Sequence, residues 1–169
     1  VRHWEMEARV SGQKSGGDQY MQGPADWLET IRLILTGNGT SVVQLISLSG
    51  MADRRAKNED LSGIPEFYSH VDGQFELYPT PSGDTDFELL YYQKIPSLSG
   101  SNTTNWLLDY APDVYLYGSL LHSAPYLQED ARLAVWAQMY SAAVAQLNAQ
   151  SERVKNSGSG IRLNIRGLG

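Results

Sequence analysis

The apolar residues change their spacing once along this chain, near Pro96, and that change limits the fold more than any other feature. From Val1 to about Lys94 they recur mostly at every second position, the period of a strand. In HWEMEARV, Trp4, Met6, Ala8 and Val10 fall on one side and Glu5, Glu7 and Arg9 on the other. SGQKSGGD reads as a turn-rich loop and QYMQGP as a short strand closed by Pro24. A turn at Pro24–Trp27 leads into a strand through Leu35, TGNGTS is a hairpin-type loop, and VVQLIS is the return strand. SLSGMADRRAKNED predicts one short helix with a solvated face. GIPEFYSHVDGQFELYPTP is a hairpin turning at Asp72–Gly73, and GDTDFELLYYQK places Phe87, Leu89 and Tyr91 on one side of a further strand. About six short strands and one helix, in a small antiparallel sheet or barrel, are expected.

Beyond Pro96 the spacing becomes three and four. SLSGSNTTNW is a linker with helix-capping residues. Pro112 suits a first helical turn, Asp113 suits the helix dipole there, and Leu116, Tyr117, Leu120, Leu121 and Ala124 predict one buried stripe. Pro125 interrupts, and residues 128–156 then run without Gly or Pro, a helix of roughly 40 Å. The short link makes the two helices an antiparallel hairpin. The long helix has a bulky face (Leu133, Trp136, Ala137, Tyr140, Val144, Leu147) and a small one (Ala131, Val135, Ala142, Ala145, Ala149). The small face would admit another helix closely, either from this chain or from a neighbouring subunit. After NSGSG, the end IRLNIRGLG alternates Ile161, Leu163 and Ile165 with Arg162, Asn164 and Arg166, so it reads as a frayed end or as a strand that adds to another sheet.

Three segments follow: residues 1–95, a mostly antiparallel β-domain with one short helix; residues 96–156, a helical hairpin; and residues 157–169, a flexible tail with a strand-like piece. The junction carries Tyr91, Tyr92, Trp106, Tyr110, Tyr115, Tyr117 and Tyr126. Spaced aromatics are most often core, but Tyr and Trp also anchor interfaces. The candidate interface residues are Trp106, Tyr115, Tyr117, Trp136, Ala142, Ile161, Leu163 and Ile165.

Chemistry is scarce. The chain has 169 residues, a net charge of −6 and an isoelectric point near 5.0, which argues against a protein that grips nucleic-acid phosphates. Without cysteine there is no thiol nucleophile, thiolate metal site or disulfide. No apolar run approaches the ~20 residues of a membrane span. The start at Val1 rather than Met points to a preceding piece. His3, His70 and His122 lack metal-ligand spacing, and no phosphate loop or serine-hydrolase elbow occurs. Neither cofactor nor metal is expected. Carboxylates are the one catalytic option left; Glu5/Glu7, Asp84/Asp86 and Glu129/Asp130 are the local groups that a glycosidase could use, and they read as solvated surface.

The second half resembles the head-to-tail adaptor (connector) proteins of tailed phages, of the portal-adaptor type. The resemblance rests on YYQKIPSLS, NTTNWLL, PDVYLYGSL and APYLQEDARLAVW. PADWLETIRLILTG, GIPEFYSHVDGQFELYPTP and DTDFELLYYQK fit more loosely, so nearly all of residues 1 to 155 is covered. It implies an α+β fold, a helical bundle with a long C-terminal helix hairpin and an inserted antiparallel β-domain, with a further helix before RHWEMEA. It implies a structural role in the virion neck: a ring of copies, twelve by resemblance, below the portal protein. Such a ring would dock the tail nozzle and let double-stranded DNA pass without sequence-specific binding or membrane contact. It implies no catalytic residue. Another neck or tail-completion protein is the neighbouring alternative, and a cell-wall glycosidase the distant one.

Overall fold

The computed structural model describes residues 2–36, 40–58, 60–123 and 132–157. The chain divides into two compact units. One is Glu7–Lys94; the other joins Val1–Met6 to everything from Ile95 onward.

The first unit is a sheet. Its elements are β1 (Glu7–Lys14), β2 (Tyr20–Gln22), β3 (Trp27–Leu35), β4 (Ser41–Leu45), α1 (Leu48–Lys57), β5 (Ser62–Gly63), β6 (Phe67–Val71), β7 (Gln74–Tyr78), β8 (Thr80–Pro81) and β9 (Thr85–Gln93). Seven of them form one sheet in the order β1-β9-β3-β4-β6-β7-β2, and β5 pairs with β8 separately. The alternation in β9 suits a strand paired on both edges. Leu89 and Tyr91 point into the core formed with Leu33, Leu35, Val43, Phe75 and Leu77, and β1 and β3 flank β9 on its two edges. Gly12 lies opposite Phe87, and a Cβ there would come within 3.1 Å of the ring, so the glycine lets the aromatic lie across β1. At the tip of the β6–β7 hairpin Asp72 and Gly73 both have positive φ, 47° and 78°, the primed turn that Asp-Gly favours.

Helix α1 starts where the Ser47 hydroxyl accepts from the Gly50 amide at 3.1 Å. Its far turn is fixed to the sheet by Arg55, whose guanidinium pairs with Glu76, donates to the Leu77 carbonyl at 2.8 Å and lies over the Tyr78 ring. Arg54 lies over Phe67. Carrying the chain across through α1 makes β4 and β6 parallel within a sheet whose other pairs are antiparallel.

The second unit opens with a 3-10 turn, Trp4–Met6. It continues with α2 (Trp106–Tyr110), α3 (Pro112–His122) and α4 (Leu133–Ser157). The Asn105 side chain caps α2 by accepting from the Leu108 amide at 2.9 Å. Pro112 takes the first position of α3 as expected. Helices α3 and α4 touch closely at Gly118, where a Cβ would sit 3.4 Å from the Tyr140 ring.

Several expectations are corrected. The fold is α+β dominated by the large sheet; among the described residues there is no helical bundle with an inserted β-domain built on a long C-terminal hairpin. The physical reason lies in α3, which is apolar on several sides, so no single stripe is submerged: it has no buried residue and Leu116 is 53% exposed. The strand placed at HWEMEARV starts only at Glu7, because Trp4–Met6 form the 3-10 turn. That strand continues through Ser11–Lys14, a stretch whose small and polar residues had suggested a loop. The tip of the β3–β4 hairpin, residues 124–131 between α3 and α4, and the segment after Ser157 lie outside the described residues.

Candidate assembly surface

Helix α4 separates its residues by side. Trp136, Leu147 and Ser151 are buried, and Leu133, Tyr140 and Val144 are half-buried on the same face; of the bulky face read from the sequence, Ala137 is exposed. Near its far end the N-terminal residues complete the packing. The Ser151 hydroxyl donates to the Arg2 carbonyl at 3.2 Å. His3 is buried and stacks flat on Trp106, with ring centroids 4.7 Å apart, and Trp4 meets Tyr110 edge-on. The His3 Nδ1 accepts from the Glu5 amide at 3.3 Å, which leaves the proton on Nε2. That nitrogen, like Trp106 Nε1, has no hydrogen-bond partner among the described residues. Burial lowers the His3 pKa; Glu5 pulls it back up and Lys155 adds to the lowering. In the same unit Asn105 donates to the Pro96 carbonyl at 2.7 Å and to the Tyr115 hydroxyl at 2.8 Å.

The other side of the pair is bare. Val135, Met139, Ala142, Ala145 and Ala149 are all exposed, Val135 at 51% and Met139 at 45%. Residues 135, 139, 142 and 149 recur at helical spacing, so they form one apolar and small-residue stripe. Leu116 on α3 is bare as well.

The residues singled out from sequence therefore go to different places. Trp106 joins the His3 stack, Tyr115 joins the Asn105 cap, Tyr117 is half-buried on α3, Trp136 is buried on the inner face of α4 with the Arg132 guanidinium over its ring, and Ala142 sits on the bare stripe. Ile161, Leu163 and Ile165 lie outside the described residues. His3 was not singled out, because a lone histidine carries no spacing signal and its partner Trp106 is remote in sequence.

The carboxylates do local structural work. Glu7 accepts from the Tyr92 hydroxyl at 3.4 Å, Asp84 accepts from the Gly16 amide at 3.1 Å, and Asp86 accepts from Gln13 at 3.2 Å. Glu129 and Asp130 are outside the described residues. Among the described residues no group of three His, Asp or Glu is placed to hold a metal ion, and no helix is long and apolar enough to cross a membrane.

The sequence profile of the SU10 adaptor protein family matches residues 1–162. The chain belongs to that family, a family of phage adaptor proteins. No curated protein matches this adaptor. An adaptor acts by contact with other phage head and tail proteins, so its working parts are surfaces, and the outer stripe of α4 is one apolar surface that its own fold leaves uncovered.

Proposed function

We propose that this adaptor is a structural protein of the virion neck that assembles into a ring of copies, twelve by resemblance, below the portal protein. The ring extends the DNA channel and docks the tail nozzle. Double-stranded DNA passes through without sequence-specific contact, helped by the chain's net charge of −6, since like charge keeps phosphates from adhering.

The observation that carries this reading is the stripe at Val135, Met139, Ala142 and Ala149, exposed on a helix whose opposite face is already filled. Small side chains let a neighbouring backbone approach closely, and the flanking Val and Met supply apolar area to bury. A second copy presenting a different face would make a head-to-tail contact, and a rotation that closes turns such contacts into a ring.

Mass measurement of the complex with the portal protein tests this. A closed ring of many copies supports the reading, and a one-to-one heterodimer overturns it. Crosslinking to the portal rather than to tail-tube subunits distinguishes this place in the neck from a tail-completion role.

A further inference from the structure

The longest open edge of the sheet is β1. It ends the strand order, with β9 as its one neighbour in the sheet, and it keeps unbroken register for eight residues from Glu7↔Tyr92 to Lys14↔Thr85. Folded proteins blunt such edges with proline, bulges, short length or a covering segment. β1 has no proline and no break in register, and from Ala8 to Lys14 no backbone hydrogen bond among the described residues runs to anything beyond β9. The opposite edge, β2, is only three residues long.

The two faces of β1 differ in chemistry. Ala8, Val10 and Gly12 lie over the core side, opposite Tyr91, Leu89 and Phe87, yet Ala8 and Val10 are only half-buried and Gly12 is exposed. The row is thus apolar and open at its outer margin. Cross-strand pairs share a face, so Glu7, Arg9, Ser11 and Gln13 fall on the solvent side with Tyr92, Leu90, Glu88 and Asp86. Across β1, β9 and β3 that side holds four carboxylates, Glu7, Glu29, Asp86 and Glu88, against two cations, Arg9, which pairs with Glu88, and Arg32.

One segment of this chain has the complementary pattern. Residues 161–166 alternate Ile, Leu, Ile with Arg, Asn, Arg, follow the tether Gly158-Ser159-Gly160, and contain no acidic residue. Set beside β1 with side chains alternating in phase, Ile161, Leu163 and Ile165 would extend the apolar row, and Arg162 and Arg166 would stand over the acidic one. We infer that residues 161–166 of one copy add as an edge strand to β1 of the next copy. The choice of a second copy rests on the ring proposed above, in which a tethered end paired with an identical edge on the neighbour repeats head to tail. Main-chain hydrogen bonds supply the grip, and the two-sided match of apolar and charged rows sets the register.

The test uses the whole chain. Because it contains no cysteine, Ser11→Cys and Asn164→Cys can be introduced singly and the two variants mixed under mild oxidation. The inference expects a disulfide-linked heterodimer, lost when Leu163→Asp and Ile165→Asp are added to the tail-bearing partner. As a register-free readout, a peptide of residues 158–169 titrated into a chain ending at Ser157 should shift the amide signals of β1 and bind about tenfold more weakly when salt is raised from low to high ionic strength. Peptide binding at β2, no binding, or a disulfide that forms only within one double-cysteine chain would each overturn it. A ring that assembles unchanged on the portal from the truncated chain would also overturn it while leaving the proposed function standing.

Discussion

The two units handle apolar surface differently. The sheet unit gathers one deep core, with Leu33, Phe75, Leu77 and Leu89 at most 1% exposed and strands on both sides of β9 contributing, while Val42, Leu45 and Ile64 stay exposed at its surface. Among the described apolar residues of the helical unit Met6, Leu107, Trp136 and Leu147 are buried, while α3 buries none and the outer stripe of α4 stays wet. A protein that needed only to be stable would distribute its core more evenly. The contrast fits a division in which the sheet keeps the chain folded and the helices are completed by neighbours.

The sharpest break of that comparison is Phe75→Ala. Phe75 is 0% exposed, and its loss should cost about 3–5 kcal/mol in denaturant unfolding of the free chain. A change of similar size anywhere in α3 would contradict the contrast. Next comes Arg55→Met, which strands the Glu76 carboxylate and the Leu77 carbonyl; the expected loss is about 3 kcal/mol, read from the same unfolding curve. Ala142→Leu should leave the free chain's stability within about 0.5 kcal/mol because the site is exposed. In the assembled ring it should cost about 1–3 kcal/mol per overfilled contact, measured as the shift in assembly concentration. Leu116→Ala should be the mildest, near-silent in free-chain melting and visible only in assembly.

Acidity sharpens the comparison from another side. His3 in the folded unit has its pKa lowered from 6.5 by burial, so the unfolded segment takes up a proton first. The docking of residues 2–6 should be complete above pH 6.5 and weaken as the pH falls below it, while the sheet core stays intact. Tryptophan fluorescence and amide exchange against pH would follow this, and His3→Phe should remove the dependence. An unchanged profile in that variant would assign the effect to another group.

What the sequence made legible follows from where local chemistry decides. Asp72–Gly73 was readable because few residues accept positive φ, and β9 because Phe87, Leu89 and Tyr91 alternate without interruption. The inner and outer faces of α4 were also readable, since 3.6-residue spacing needs no knowledge of what lies opposite. The extent of β1 was hidden, because Ser11, Gly12 and Gln13 look like a loop until Phe87 is known to lie across Gly12. The parallel pairing of β4 with β6 depends on how α1 crosses, which no strand states by itself. The over-reading of the helices came from treating α3 as one buried stripe when its apolar residues point several ways. At the candidate surface, Ala142 was accessible to sequence reasoning, whereas the His3–Trp106 stack joins residues from opposite ends of the chain.

The placement of β9 between β1 and β3 has a consequence for synthesis. The Glu7 and Tyr92 side chains that meet at one end of the β1–β9 ladder are 85 residues apart. As the chain leaves the ribosome, β1 therefore waits for nearly the whole unit to emerge before it finds its own partner, and β3 waits with β4 alone beside it. During that interval the nascent strand is exposed to other newly made copies. Long-range closure of this kind makes folding slow, and it makes the timing of β9's arrival a determinant of how much protein reaches the finished particle.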